Sequence, residues 1–328
     1  DGFHHMFLIP TCSSEIMAVD LETIAGRLSD RHGVDVIPVK ADVNFLASKH
    51  GAVWGLYEAV IDRLVTDVPM EKGTVNFVAR WFYGLGKDSN MEVFDRLLGL
   101  LGLRRNVCFI DYCDYGITER FCTAEFDLVF GETAFNNRLA DRIAESTGRR
   151  RAGEVFVPDG FHECVQWVTD VAEYTGRTDR LEEAVTVLRR EYDAILDARR
   201  ADTEGRDVVV YALNTPDVEW QMQVARDAGL NVRAIVYNEG NYTDLDVKMP
   251  DYGDIPFIKG GFCEVERLIR ERRPDVIVTN DWARASRTDV PYSRMGSRYF
   301  GLRAVSDWLD SVVECMRLPG GRGWKEGL

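Results

Sequence analysis

The sequence predicts an α/β fold built from parallel β-sheets, and two observations lead to that prediction. Apolar segments typical of strands alternate with amphipathic segments typical of helices along the whole chain. The 328 residues, 45% hydrophobic and 29% charged, are those of an ordinary globular protein with enough chain for two or three domains. No short repeat or low-complexity segment interrupts this alternation.

The first half of the chain contains six predicted strands. They are Met6–Pro10, Val34–Val39, Thr74–Ala79, Val107–Ile110, Asp127–Phe130 and Val155–Pro158. Amphipathic patterns predict one helix directly after Cys12 and others at about 52–65, 91–101, 133–146, 162–174 and 179–200. The last helix is highly charged and carries Glu/Arg pairs at helical spacing, so we expect it to connect two domains.

A second α/β unit is predicted from Asp207 onward. Its strands are Asp207–Tyr211, Val232–Tyr237, Asp275–Thr279 and Val290–Tyr292, and its helices lie at about 217–228, 262–272 and 301–316. A polar loop rich in Gly, Asn and Asp covers about 238–254, and the tail from Leu318 contains Pro and Gly that cannot continue a helix.

Composition excludes several classes of function. The formal net charge is −14 and the 40 basic residues form no stripe, so nucleic acid is not an expected partner. No apolar run is long enough for a membrane span, and we recognise no signal peptide. Seven cysteines at irregular spacing argue for a reducing compartment, and we expect the cytoplasm. No glycine-rich nucleotide-binding motif follows a strand.

Cys12 is the candidate metal ligand. The apolar strand ending at Pro10 leads directly into Thr11-Cys12-Ser13-Ser14-Glu15, and an amphipathic helix follows. A thiol at a helix N-terminus is favoured as the thiolate, which is the form that binds metals. The alternative is a buried structural cysteine, because free cysteine is among the most buried residue types.

Several local sequences, in their order and spacing, resemble the component 1 proteins of the nitrogenase family over the whole chain. The matching segments are Thr11-Cys12-x-x-Glu15 with Asp20-Leu21; Ile37-Pro38-Val39 with Phe45-x-x-Ser48; Val75-Asn76-Phe77-Val78, Asn90-Met91-Glu92-Val93-Phe94 and Leu97-Leu98-x-x-Leu101-Gly102-Leu103; Val157-Pro158-x-Gly160 with Thr175-Gly176; and Arg273-Pro274-Asp275-Val276-Ile277-Val278 with Val290-Pro291.

The resemblance implies repeated Rossmann-like parallel-sheet domains of the nitrogenase component 1 type, with the first domain largely missing. We therefore expect residues 1–33 to be the remnant of that first domain with the cluster-cysteine loop. Residues 34–200 would form an α/β domain that includes the long bridging helix, and residues 201–328 a C-terminal α/β domain with the tail. We also expect sequence upstream of Asp1, including two more cluster cysteines.

The resemblance also implies a cofactor and partners. Cys12 would be a thiolate ligand of an iron–sulfur cluster, either P-cluster-like (8Fe-7S) or 4Fe-4S, shared with a partner subunit. The partners would be an alpha-type (D-like) subunit and an ATP-dependent iron protein that delivers low-potential electrons. The expected assembly is an α2β2 heterotetramer.

Two departures from the family pattern indicate a beta-type (K-type) subunit without its own catalytic cofactor. Gly131-Glu132-Thr133 stands where the alpha-type subunit has its cofactor-ligating Cys, and the loop Tyr292–Tyr299 contains no His. A third departure is Asn44, where true nitrogenase beta subunits place a Ser near the interfacial cluster. These departures favour a nitrogenase-like reductase, with methylthio-alkane reduction preferred over dinitrogen reduction.

Three alternatives remain open at the level of sequence. They are a cofactor-assembly scaffold subunit, a tetrapyrrole reductase subunit, and a metal- or siderophore-binding protein of two α/β lobes.

The other cysteines do not form a recognised cluster motif. Cys108, Cys113 and Cys122 surround a strand exit without a known cluster spacing, and Cys164, Cys263 and Cys315 are predicted to pack in the core. His4 and His5 are expected to be structural, Asp111, Asp114 and Glu119 to belong to a solvated loop, and Trp81, Phe82 and Tyr83 to contact a partner subunit.

Overall fold

A computed structural model of the chain describes residues 4–11, 17, 19–39, 51–79, 87–109, 115–131, 133–213, 218–238 and 255–318, with the backbone alone at 51–53, 87–89 and 213. The strands of this part are β1 His5–Leu8, β2 Asp35–Pro38, β3 Glu71–Val78, β4 Arg104–Phe109, β5 Ala124–Phe130, β6 Gly153–Val155, β7 Asp207–Leu213, β8 Asn231–Asn238, β9 Phe257–Lys259, β10 Val276–Thr279 and β11 Tyr292–Arg294.

The α-helices of the described part alternate with these strands. They are α1 Leu21–His32, α2 Gly51–Ile61, α3 Lys87–Leu100, α4 Ile117–Arg120, α5 Ala134–Thr147, α6 Gly160–Thr175, α7 Leu181–Asp197, α8 Arg200–Thr203, α9 Glu219–Asp227, α10 Phe262–Arg272, α11 Trp282–Ala285 and α12 Gly301–Met316. Short 3-10 helices occupy Phe121–Thr123 and Thr178–Arg180.

The chain divides into two compact units. The first contains residues 1–82 and 102–156, and the second contains residues 83–101 and 157–328. The domain boundaries at 33/34 and 200/201 that the sequence suggested remain predictions. Helix α7, which we expected to connect two domains, lies within the second unit and packs against α6 and α12.

The first unit contains two parallel sheets. Strands β1 and β2 pair with each other, and a four-stranded sheet has the order β4-β3-β5-β6. Residues 74–78 of β3 are buried without interruption, as expected for a parallel strand that is covered on both faces. Phe109, Val129 and Leu139 are among the side chains of one continuous apolar core in this unit.

A buried polar network crosses this sheet. Asn76 and Asp127 are register partners on β3 and β5, and Asn76 Nδ2 donates to Asp127 Oδ1 at 2.7 Å. Arg149 holds the same carboxylate with Nε at 2.9 Å and Nη2 at 3.1 Å. Burial raises the pKa of Asp127 above its usual range, although Arg149 and Asn76 oppose that change. The network therefore depends on the guanidinium of Arg149 to compensate a buried carboxylate.

The second unit contains a five-stranded parallel sheet with the order β11-β10-β7-β8-β9. Strand β7 is central, and the chain adds β8 and β9 on one side of it before β10 and β11 on the other. This reversal creates a topological switch point between β7 and β10, where open α/β sheets commonly bind ligands. The parallel α/β class predicted from sequence is confirmed.

The structure corrects the edges of several predicted elements. The strands expected at Val155–Pro158 and Val290–Tyr292 lie instead at Gly153–Val155 and Tyr292–Arg294. Pro158 and Pro291 lack the N–H that a strand needs for continued pairing. Strand β9 was not predicted, because its three residues are too few to show periodicity.

Candidate metal centre around Cys12

Cys12 itself lies outside the described residues, but the elements on both sides of it are described. Strand β1 ends at Leu8, four residues before Cys12, and α1 begins at Leu21. The prediction of a helix that begins directly after Cys12 is therefore wrong: the helix starts nine residues later, with Asp20 as its N-cap, so the argument that placed the thiol at a helix N-terminus is not supported. Strand β1 is parallel to β2, with Leu8 opposite Pro38, and the Val39 N–H donates to the Leu8 carbonyl at 3.0 Å. The segment that contains Cys12 therefore leaves the carboxyl end of a paired parallel strand.

Helix α1 is capped at both ends. The Asp20 side chain accepts from the Thr23 backbone N–H at 3.0 Å and from the Thr23 hydroxyl at 2.6 Å, and these bonds lower the pKa of Asp20. Gly33 ends the helix with φ 65°, and its N–H donates to the Ser29 carbonyl. Both ends of the helix that follows Cys12 are therefore fixed locally by the sequence.

His5, at the start of β1, is held by contacts with Tyr115 and Asp35. Its ring stacks on Tyr115 with centroids 3.9 Å apart, and its Nδ1 lies 3.5 Å from Oδ2 of Asp35. Arg63 Nε lies 3.9 Å from the same carboxylate oxygen. Burial raises the pKa of the Tyr115 hydroxyl. The structural role that the sequence favoured for His5 agrees with these contacts, whereas the contact with Tyr115 could not be foreseen.

Large apolar side chains are exposed on both sides of Cys12. The exposed fractions are 52% for Met6, 61% for Ile9, 69% for Met17 and 37% for Ile24. We call these four the flanking residues. Elsewhere in the described part of the chain, the exposed large apolar residues are Val65, Met70 and Trp282. Exposed apolar side chains indicate an interaction surface when they form one contiguous patch.

The end of β5, where an alpha-type subunit would have its ligand Cys, is closed by hydrogen bonds. The Gly131 N–H donates to the Val155 carbonyl at 3.1 Å, and the Gly131 carbonyl accepts from Asn137 Nδ2 at 2.9 Å. A Cβ atom at Gly131 would lie 3.0 Å from Glu154 Oε2. Thr133 caps α5 by accepting from the Asn136 N–H. A side chain at position 131 would therefore need Glu154 to move.

The loop after β11 is also held by the protein's own side chains. Gln221 Oε1 accepts from the Gly296 N–H at 3.0 Å, and Asp307 accepts from the Ser297 hydroxyl at 2.6 Å and pairs with Arg294. Asn90 accepts from the Phe300 N–H at 3.1 Å. No residue of this described loop is a histidine, so the loop offers no imidazole ligand.

The remaining described cysteines are not arranged as cluster ligands. Cys108, Cys122 and Cys164 are buried, and burial raises the pKa of Cys122 and Cys164, which disfavours the thiolate that would bind a metal. The prediction that Cys263 packs in the core is wrong: it lies on the exposed face of α10, between buried Phe262 and half-buried Glu264.

Some candidate residues cannot be placed. Asn44, Trp81, Phe82, Tyr83, Asp111, Cys113, Asp114 and Glu132 lie outside the described residues, as Cys12 does. Within the described part of the chain, no three His, Cys, Asp or Glu side chains come together in a group that could hold a metal ion. The fit of an iron–sulfur cluster therefore rests on donor chemistry alone: the thiolate of a cysteine such as Cys12, in the segment between β1 and α1, is a ligand type that suits iron–sulfur clusters.

Comparison with models of known protein families identifies the family of this chain. The family model described as nitrogenase component 1 type oxidoreductase matches residues 2–313. The chain belongs to this family. The family resemblance inferred from the sequence is thus confirmed, and the chain is an oxidoreductase-family protein of the nitrogenase component 1 type.

Solved structures agree at the level of fold. The chain is similar to Nitrogenase Cp1 at pH 5, with 15% identity and a TM-score of 0.60, over 98% of this chain and 72% of that one. Nitrogenase Cp1 at pH 6.5 matches with 15% identity and a TM-score of 0.58, over 98% and 73% of the two chains. No curated protein sequence matches this chain significantly. In the described residues, no helix is long and apolar enough to cross a membrane.

Proposed function

We propose that this component 1 type chain is the beta-type subunit of a nitrogenase-like two-component reductase. In this role it binds an iron–sulfur cluster through Cys12 at the interface with an alpha-type subunit. The cluster would supply one-electron transfer at low potential between an ATP-dependent iron protein and the catalytic cofactor of the partner. Among family reactions, carbon–sulfur reduction of methylthio-alkanes is preferred over dinitrogen reduction, because Asn44 replaces the Ser of true nitrogenases.

The exposure of the flanking residues is the observation that carries this proposal. Met6 on β1, and Ile9 and Met17 on the two sides of Cys12, each expose more than half of their surface, and a partner subunit packed there would bury them. A partner that covers these side chains would also exclude water from the thiolate of Cys12. The caps of α1 and the pairing of β1 with β2 fix the described elements on the two sides of the Cys12 segment.

The assignment to the beta type is supported by the two closed loops. Gly131 leaves this strand end without the Cys that would bind a cofactor in an alpha-type chain, and its backbone hydrogen bonds with Val155 and Asn137 hold the strand end in place. Gln221, Asp307 and Asn90 hold the late loop in the same way. Substrate reduction is therefore assigned to the partner.

The test is the anaerobic iron content of the complex purified with its alpha-type partner. Cys12→Ala should lose iron and weaken the heterodimer, because metal binding is coupled to assembly. Cys263→Ala is the matched control, since this exposed cysteine on α10 should leave the iron content unchanged. Full iron retention in Cys12→Ala, with an unchanged EPR spectrum, would show that Cys12 is not a ligand.

Turnover separates the reductase from an assembly scaffold. The complex, supplied with its iron protein and ATP, should reduce methylthio-alkanes or dinitrogen over many cycles. A complex that holds a cofactor precursor and shows no turnover would contradict the reductase role while leaving the cluster assignment intact.

A further inference from the structure

We draw no further inference here: the strongest candidate, the acidic opening between α6 and α9 that Asp159, Glu163 and Glu219 border, has a floor of Phe161, Tyr192 and Trp220 that is almost completely buried, so it reduces to a group of surface carboxylates, and no second feature of the described residues indicates a ligand there.

Discussion

Gly301 begins α12 at a point where three helices touch, and its replacement gives the most quantitative test of this packing. Its φ is 60°, a left-handed conformation that L residues seldom adopt. A Cβ atom at this position would lie 2.7 Å from Cγ1 of Val93 and 3.4 Å from Sγ of Cys164. Gly301→Ala therefore combines a backbone cost with a steric one.

The two costs can be estimated separately. The left-handed conformation costs about 1–2 kcal/mol for a residue with a Cβ. Overlap with Val93 in a packed core adds about 1–3 kcal/mol. Gly301→Ala should thus lower the free energy of unfolding by about 2–5 kcal/mol. Gly176→Ala is the matched control, because Gly176 ends α6 in the same unit with φ 70° and a Cβ atom added there would meet no atom within 4 Å. This control should lower the free energy of unfolding only by the cost of the left-handed backbone conformation.

The decisive measurement is whether removing Cγ1 of Val93 lowers the cost of the added Cβ atom at position 301. Val93→Ala removes Cγ1, so Gly301→Ala should cost less in that background than in the parent, by about 1–2 kcal/mol of coupling. Urea unfolding followed by tryptophan fluorescence reports on this unit, since Trp167 and Trp308 are fully buried in it. If Gly301→Ala costs no more than Gly176→Ala, or if Val93→Ala gives no relief, the steric argument is wrong.

Three further predictions concern the first unit. Arg149→Met should destabilise it by about 3–5 kcal/mol at neutral pH, because it leaves the Asp127 carboxylate buried without its partner. Burial raises the pKa of Asp127 above its usual 3.8, so the folded state binds the proton of this carboxyl more tightly than the unfolded state does. The free energy of unfolding should therefore fall as the pH rises from 3.8 through the folded-state pKa. Urea titrations at several pH values should show a steeper fall for Arg149→Met than for the parent. Gly131→Cys should change the melting temperature little, because the exposed Glu154 carboxylate can turn away, and should add no iron to the complex; a gain of iron would contradict the argument that this strand end has no cofactor site. If Met17 lies in the proposed interface, Met17→Glu should weaken association with the proposed alpha-type partner, measured by native mass spectrometry, without changing the melting temperature of the chain alone, measured by calorimetry.

Local sequence patterns predicted the elements in which local and global preferences agree. Residues 74–78 form one uninterrupted buried run on β3, and Thr133 precedes an amphipathic segment that ends at Gly148, so both elements could be placed from sequence alone. The start of α1 was predicted wrongly, directly after Cys12, because the cap formed by Asp20 was not recognised. The parallel α/β class followed from the alternation of such elements.

Features that depend on distant parts of the chain could not be predicted. The stacking of His5 on Tyr115 joins residues far apart in sequence, and no local pattern encodes it. Cys263 was misplaced because the phase of α10 was not fixed well enough to separate it from Phe262, its buried neighbour. The exposure of Met17 is likewise a property of the folded chain, because from sequence alone an apolar residue near a core strand is expected to be buried.

The assignment of α3 to the second unit has a consequence for the order of folding during synthesis. Helix α3 is translated between β3 and β4, yet its apolar side chains pack on elements made much later: Phe94 contacts Trp167 and Phe300, and Asn90 binds the backbone at Phe300. At roughly 5–20 residues per second, α3 would wait about 10–40 seconds before α12 leaves the ribosome. During that interval its apolar face must be shielded from other nascent chains, so the yield of the protein should depend on chaperones that act while it is still being made.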